Sequence, residues 1–228
     1  MTTFVLRLWL PDRPGALGSV ASRVGAVGGD VIGIEILERG AGRAIDELVV
    51  DLADPGLVDL LVSEVRQVDG VDVEQVTTID DNLRDPMLDA LETAAILVGA
   101  GTPQDALDAL GEHARRTIGA GWAAVVSLDD AEVVAEQGET PPAAWLVAFV
   151  EGSQTSARVA SGTAGPDDVV WAPLPSARMA LVLGRVGSPF RARERRHAAA
   201  LARIVDTRFR ELRVSRSRAA HPSRQHGS

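Results

Sequence analysis

Between Leu10 and Leu17 the hydrophobic period of this chain changes within eight residues. Before that stretch, Phe4, Leu6, Leu8 and Leu10 alternate with Val5, Arg7 and Trp9, the pattern of a strand with one buried face. From Leu17 onward, Leu17, Val20, Ala21, Val24 and Val27 share one helical face. The connecting Pro11-Asp12-Arg13-Pro14-Gly15-Ala16 turns the backbone sharply, and at Gly15 no Cβ blocks the approach of a ligand or second chain. The first N–H groups of the helix have no partner within it, so they are free to hold an anion.

The strand and helix open a longer alternation. Gly28-Gly29 is a C-cap signal, and Val31–Leu37 is β-branched and reads as a strand. Gly40-Ala41-Gly42 signals a hairpin, and Leu48, Val50 and Leu52 alternate with Glu47, Val49 and Asp51 on the return. Asp54-Pro55 starts a second helix, whose apolar face is Val58, Leu61, Val62 and Val65. Asp69-Gly70 ends it, and Val71–Glu74 begins a last strand. The order β-α-β-β-α-β predicts a ferredoxin-like split βαβ unit, with helices on one face of an antiparallel sheet.

Two stretches of this unit resemble the ACT family of small regulatory domains. Asp12-Arg13-Pro14-Gly15-Ala16-Leu17 stands where that family places its DRPG-x-L loop, and Gly29-Asp30-Val31-Ile32 where it often has Gly-Val-Asn-Ile. The resemblance implies an amino-acid ligand held between the first loop of one copy and the second strand of another. It points to Asp12, Pro14, Gly15, Ala16 and Leu17 on one side and Asp30, Val31 and Ile32 on the other. Asp12 would accept from the ligand's ammonium group, and backbone N–H groups near Gly15–Leu17 would donate to its carboxylate. Asp30 departs from the family's Asn, because an ionised Asp only accepts. The same residues also read as plain turn, cap and strand-start chemistry, and the sequence alone leaves both readings open.

Residues 80–86 are polar and short, which predicts a semi-rigid linker. Beyond it, Met87, Leu88, Leu91, Ala94, Ala95 and Val98 give a helix an apolar stripe. Thr102-Pro103 starts another, with Ala106, Leu107, Leu110, Ala114 and Ile118 as its buried face. Trp122–Leu128, Val133–Ala135, Val169–Leu174 and Ala180–Leu183 read as strands. Trp145–Val150 is apolar throughout, so periodicity cannot choose between strand and helix. Ser153–Asp168 is small and polar and reads as a flexible loop. Ser188-Pro189 opens a final helix from Phe190 to about Arg213, with Ala198, Leu201, Ala202, Ile204, Val205 and Phe209 on its apolar side. Helix pair, sheet and closing helix resemble a GAF domain. Trp171-Ala172-Pro173-Leu174, Pro189-Phe190 and Glu194 carry most of that likeness.

The expected architecture is therefore α+β. An ACT-like domain spans 1–79, a linker 80–86, and a GAF-like antiparallel sheet flanked by helices 87–214. An Arg-rich disordered tail is expected at 215–228. The expected role is small-molecule sensing, with an amino acid as ligand, a homodimer as the assembly and a partner protein as the recipient of the signal. The rival readings are an enzyme of amino-acid metabolism with its site in the second module, and a scaffold that only dimerises.

Composition bounds these readings. With no cysteine, thiol catalysis, thiolate metal sites and bilin attachment through sulfur are excluded. A net charge of −9 argues against nucleic acid as a partner, although the residues from Arg191 onward hold 11 Arg against three acidic groups. No run of about 18 apolar residues suggests a membrane span, and the N-terminus has no signal-peptide pattern, so the expected location is cytoplasmic. No nucleophile elbow, P-loop or GxGxxG precedes a helix, and no catalytic residue, metal or cofactor is expected. His113 and His197 fall inside helices and read as packed or solvated side chains.

Overall fold

The computed structural model describes residues 1–79, 86–156 and 166–220, with backbone alone at 79, 86, 87 and from 216. The chain is α+β, with two four-stranded antiparallel sheets and six α-helices among the described residues. It divides into two compact units, Met1–Arg84 with Arg191–Arg193, and Asp85–Phe190 with Glu194–Ser228.

In the first unit the order is β1 (Thr2–Pro11), α1 (Ala16–Ala26), β2 (Gly29–Gly40), β3 (Arg43–Leu52), α2 (Val58–Arg66) and β4 (Asp72–Ile79). The strands lie in the order β2-β3-β1-β4, every neighbour antiparallel. The alternation seen in the sequence fixes the faces. Phe4, Leu6, Leu8 and Leu10 of β1 join Leu48, Val50 and Leu52 of β3 in one core with Val20, Val24, Leu61 and Val65 of the helices. The other face of β1 and β3 carries polar pairs instead. Arg7 donates twice to Glu47 Oε1 (2.7 and 2.9 Å), and Thr3 donates to Asp51 at 2.6 Å. The hairpin joining β2 to β3 turns on Ala41 and Gly42, both at positive φ (51° and 76°), as a two-residue turn of this hand requires. Asp54 caps the start of the second helical segment by accepting from Gly56 N–H at 2.8 Å, and Pro55 follows as the first helical residue.

In the second unit the order is α3 (Pro86–Gly99), α4 (Pro103–Ile118), β5 (Trp122–Ser127), β6 (Val133–Gln137), α5 (Ala143–Gln154), β7 (Val169–Leu174), β8 (Met179–Gly184) and α6 (Ala192–Ala220). The sheet order is β6-β5-β8-β7, again antiparallel. Both of its faces are covered. Ala123, Val125, Leu181 and Leu183 face α3, α4 and α6, while Ala124, Val126, Ala180 and Val182 face Leu146 and Val150 of α5. Two-sided burial explains why β5 and β8 read as continuous apolar runs. Thr102 caps α4, its Oγ1 accepting from Asp105 N–H at 3.1 Å.

Several expectations change. The ambiguous Trp145–Val150 stretch is helical, and α5 continues to Gln154, so Ser153 is a buried helical residue rather than the start of a loop. The rest of that expected loop lies partly outside the described residues, as does the linker at 80–85. The final helix starts two residues later than predicted and runs seven further, through Ser215 to Ala220. Residues 221–228 of the expected tail lie outside the described residues. The apolar stripe of α3 faces outward. Leu88, Leu91 and Val98 are more than half exposed, while Thr93 and Leu97 are buried.

Candidate functional site

The Asp12–Leu17 loop connects the end of β1 to α1. Pro11 pairs with Arg43, and the Asp12 N–H donates to Gly42 O at 2.9 Å, which anchors the loop on the β2–β3 hairpin. Arg13 N–H donates back to Pro11 O and Ala16 N–H to Arg13 O, so the loop closes on itself. Gly15 caps the helix in the left-handed region (φ 89°), where a side chain is strained, and it supplies no side-chain cap. Ser19 N–H reaches Gly15 O, leaving the Leu17 and Gly18 N–H groups without an acceptor among the described residues. Two aligned donors at a helix start suit a carboxylate. Asp12, Pro14 and Gly15 are exposed, Ala16 is buried, and Leu17 is half-buried against the core.

The second group of predicted residues lies elsewhere. Asp30 is exposed at the start of β2 and pairs with Asp51, which in turn pairs with Thr3 at the far end of β1. Val31 packs against the core, while Ile32 is 37% exposed beside a bulge in the β2–β3 register. From Thr3 to Pro11 is eight strand positions, or about 26 Å. Within one chain, therefore, the loop and the Asp30–Ile32 segment are not brought together.

Sequence reasoning missed Asp46 on β3. It is buried (6% exposed), it pairs with Leu8 on one side and Ile36 on the other, and its Oδ1 has no hydrogen-bond partner. Burial pushes its carboxyl above the usual carboxylate range; Arg39 pulls it down, and Asp12 pushes it up again. A signal was present, since counting back by twos from the buried Leu48 lands on Asp46, an acid where the period calls for an apolar residue.

Near the same loop, an open cleft of about 620 Å3 is lined by Pro11, Gly42, Arg43, Arg66, Asp69 and Asp72 among others. Arg43 donates to Gly70 O and Asp72 there and lies 5.2 Å from the Trp9 ring centre.

Of the residues behind the second unit's resemblance, Ala172, Leu174, Phe190 and Glu194 are buried, while Pro173 is exposed. Glu194 takes a buried, two-pronged contact from Arg185, at 2.7 and 2.9 Å. The other Arg185 donors reach Ser188 O, Ile118 O and Pro189 O, so all five N–H directions are used. Its guanidinium also stacks 4.1 Å from the centre of the buried Phe190 ring. The node ties the end of α4 to the start of α6. His113 is buried in α4, and Arg116 donates to its Nδ1 at 2.8 Å. Burial first, and then Arg116, lowers its pKa, and a ring that accepts from Arg116 at Nδ1 carries its proton on Nε2.

Among the described residues no group of three or more His, Cys, Asp or Glu is arranged to hold a metal, and no helix is long and apolar enough to cross a membrane. No family model matches the sequence, and no curated protein matches it. Among solved structures, the chain is similar to an unknown protein from Galdieria sulphuraria. That likeness has 14% identity and a TM-score of 0.33, over 94% of this chain and 92% of that one. It is also similar to a bacteriophytochrome from the photosynthetic bacterium R. palustris, at 12% identity and a TM-score of 0.37. There it covers 81% of this chain but only 48% of the other, so the chain spans about half the bacteriophytochrome's length. Scores this low establish no shared fold.

Proposed function

We propose that this chain is a small-molecule-sensing regulatory protein, whose first unit is an ACT-like, ferredoxin-like domain that binds an amino acid between two copies. Its second unit, GAF-like in this reading, passes the signal to a partner protein. The observation that supports the reading is the edge strand of the first unit's sheet. β2 is an edge strand, and Ile32, Ile34 and Ile36 along it are 37–50% exposed. Such an edge invites a second strand. Antiparallel pairing of two β2 strands sets the Gly29 end of one copy against the Gly40 end of the other. Asp30–Ile32 of one copy then approaches the hairpin on which the Asp12 loop of its partner is anchored. The separation of about 26 Å within one chain is thereby removed by two-fold symmetry. In this composite site Asp12 accepts from the ligand's ammonium group, and the Leu17 and Gly18 N–H groups receive its carboxylate.

The test is a thermal-shift screen of the full chain against the twenty amino acids, cyclic nucleotides and haem, on wild type and Asp12→Ala. A ligand at about 100 times its dissociation constant adds about 2.7 kcal/mol. For the whole chain melting as one cooperative unit, that raises the transition by roughly 5–10 °C. The expected result is a shift from an amino acid that disappears in Asp12→Ala. A shift from a nucleotide or haem that ignores Asp12 would move sensing to the second unit, and no shift at all would leave the scaffold reading.

A further inference from the structure

The geometry points to Asp46 as the cation-recognising carboxylate of the first unit's ligand site, so that the ligand is an amino acid with a basic side chain. This rests on the reading of the first unit as an amino-acid binder and names the class of amino acid.

Three observations carry it. Asp46 is 94% buried, yet its Oδ1 makes no hydrogen bond, and a buried acceptor left empty is a standing cost to the fold. Its position is close to the loop, three strand positions in from Pro11, or about 10 Å. Arg39 and Asp12 both lie near enough to bias its charge, but neither hydrogen-bonds it. Beside it, on the same face of the sheet by register, Ile36 is opposite Asp46 and Ile34 opposite Leu48, and both isoleucines are exposed. A buried carboxylate with two exposed aliphatic side chains beside it on one face matches a methylene chain that ends in an ammonium or guanidinium group. Asp12 and the helix N-terminus then take the backbone end of the same ligand.

The experiment is calorimetric titration of the full chain with lysine, arginine and norleucine, which lacks the terminal cation, on wild type, Asp46→Asn and Asp12→Ala. Wild type should bind lysine or arginine at least about ten-fold more tightly than norleucine. Asp46→Asn should abolish that preference, bringing lysine and arginine to within about three-fold of norleucine, and its ligand-free melting temperature should equal or exceed wild type. Asp12→Ala should weaken all three ligands together. Binding of neutral amino acids with Asp46→Asn indifferent overturns this inference and leaves the proposed function standing. A preference for the cation that persists in Asp46→Asn also overturns it. So does an Asp46→Asn chain that melts well below wild type, which would make Asp46 a structural residue. If wild type binds no amino acid, both readings fall.

Discussion

Two buried charged side chains, Arg185 in the second unit and Asp46 in the first, are treated in opposite ways. In the second unit Arg185 spends all five donors on Glu194 and three backbone carbonyls. In the first unit Asp46 is equally buried and leaves Oδ1 empty. A satisfied buried charge fastens elements together; here it joins the end of α4 to the start of α6. A buried acceptor without a hydrogen-bond partner lowers stability instead. The contrast separates a residue that holds the fold from one that, under the inference above, a ligand completes.

The largest effect should come from breaking the satisfied pair. Glu194→Ala strands the Arg185 guanidinium in a buried site and is expected to cost about 3–5 kcal/mol, measured by chemical denaturation. Replacing both partners, Arg185→Met with Glu194→Leu, should recover much of that loss, because no charge is then left unpaired. Recovery should be incomplete, since the carbonyls of Ile118, Ser188 and Pro189 lose their donor.

Asp46→Asn should move the other way, raising stability at pH 7 by about 1 kcal/mol. Its pH dependence sharpens the point. The unfolded chain releases the Asp46 proton near pH 3.8 and the folded chain at a higher pH. The proton therefore favours the fold at low pH, and that contribution is lost as pH rises through the folded value. The gain from Asp46→Asn over wild type should be smallest near pH 3.5 and grow toward pH 7, as read from melting temperatures. If it is flat with pH, the contrast between the two buried charges fails.

The smallest effect should belong to His113, which lies between these extremes with one nitrogen bonded to Arg116. Its folded pKa is lowered, so its contribution is present above pH 6.5 and is lost as pH falls through the folded value. His113→Gln should flatten the loss of wild-type stability between pH 7 and pH 5 by under about 1 kcal/mol.

Much of the local structure was legible from periodicity and punctuation. The alternation of Phe4–Leu10 and Leu48–Leu52, the Asp54-Pro55 and Thr102-Pro103 starts, and the buried face of α4 all appear where the sequence placed them. Each is decided by neighbours a few residues apart. Trp145–Val150 was not legible, because a run that is apolar throughout has no period to read. The outward stripe of α3 was visible as a stripe, but which side meets the core depends on where α4 lies. Arg185 and Glu194 stand nine residues apart across an irregular turn, a spacing with no fixed geometry.

For the candidate site the division is sharper. Asp12–Leu17 and Asp30–Ile32 stood out in the sequence because turn and strand-start chemistry is local. That these two stretches lie at opposite ends of one sheet is a matter of strand register, which joins residues forty or fifty positions apart. The empty acceptor on Asp46 is likewise a tertiary fact, since only packing decides whether an acid in a buried phase finds a donor. By itself, the sequence determined which segments are strands and helices and where the chain turns, because those choices are made by short-range sterics and hydrogen bonding. Which faces are covered, which charges are satisfied and which predicted residues can meet was decided by the tertiary structure alone, since each depends on groups distant in the chain that only the folded backbone brings together.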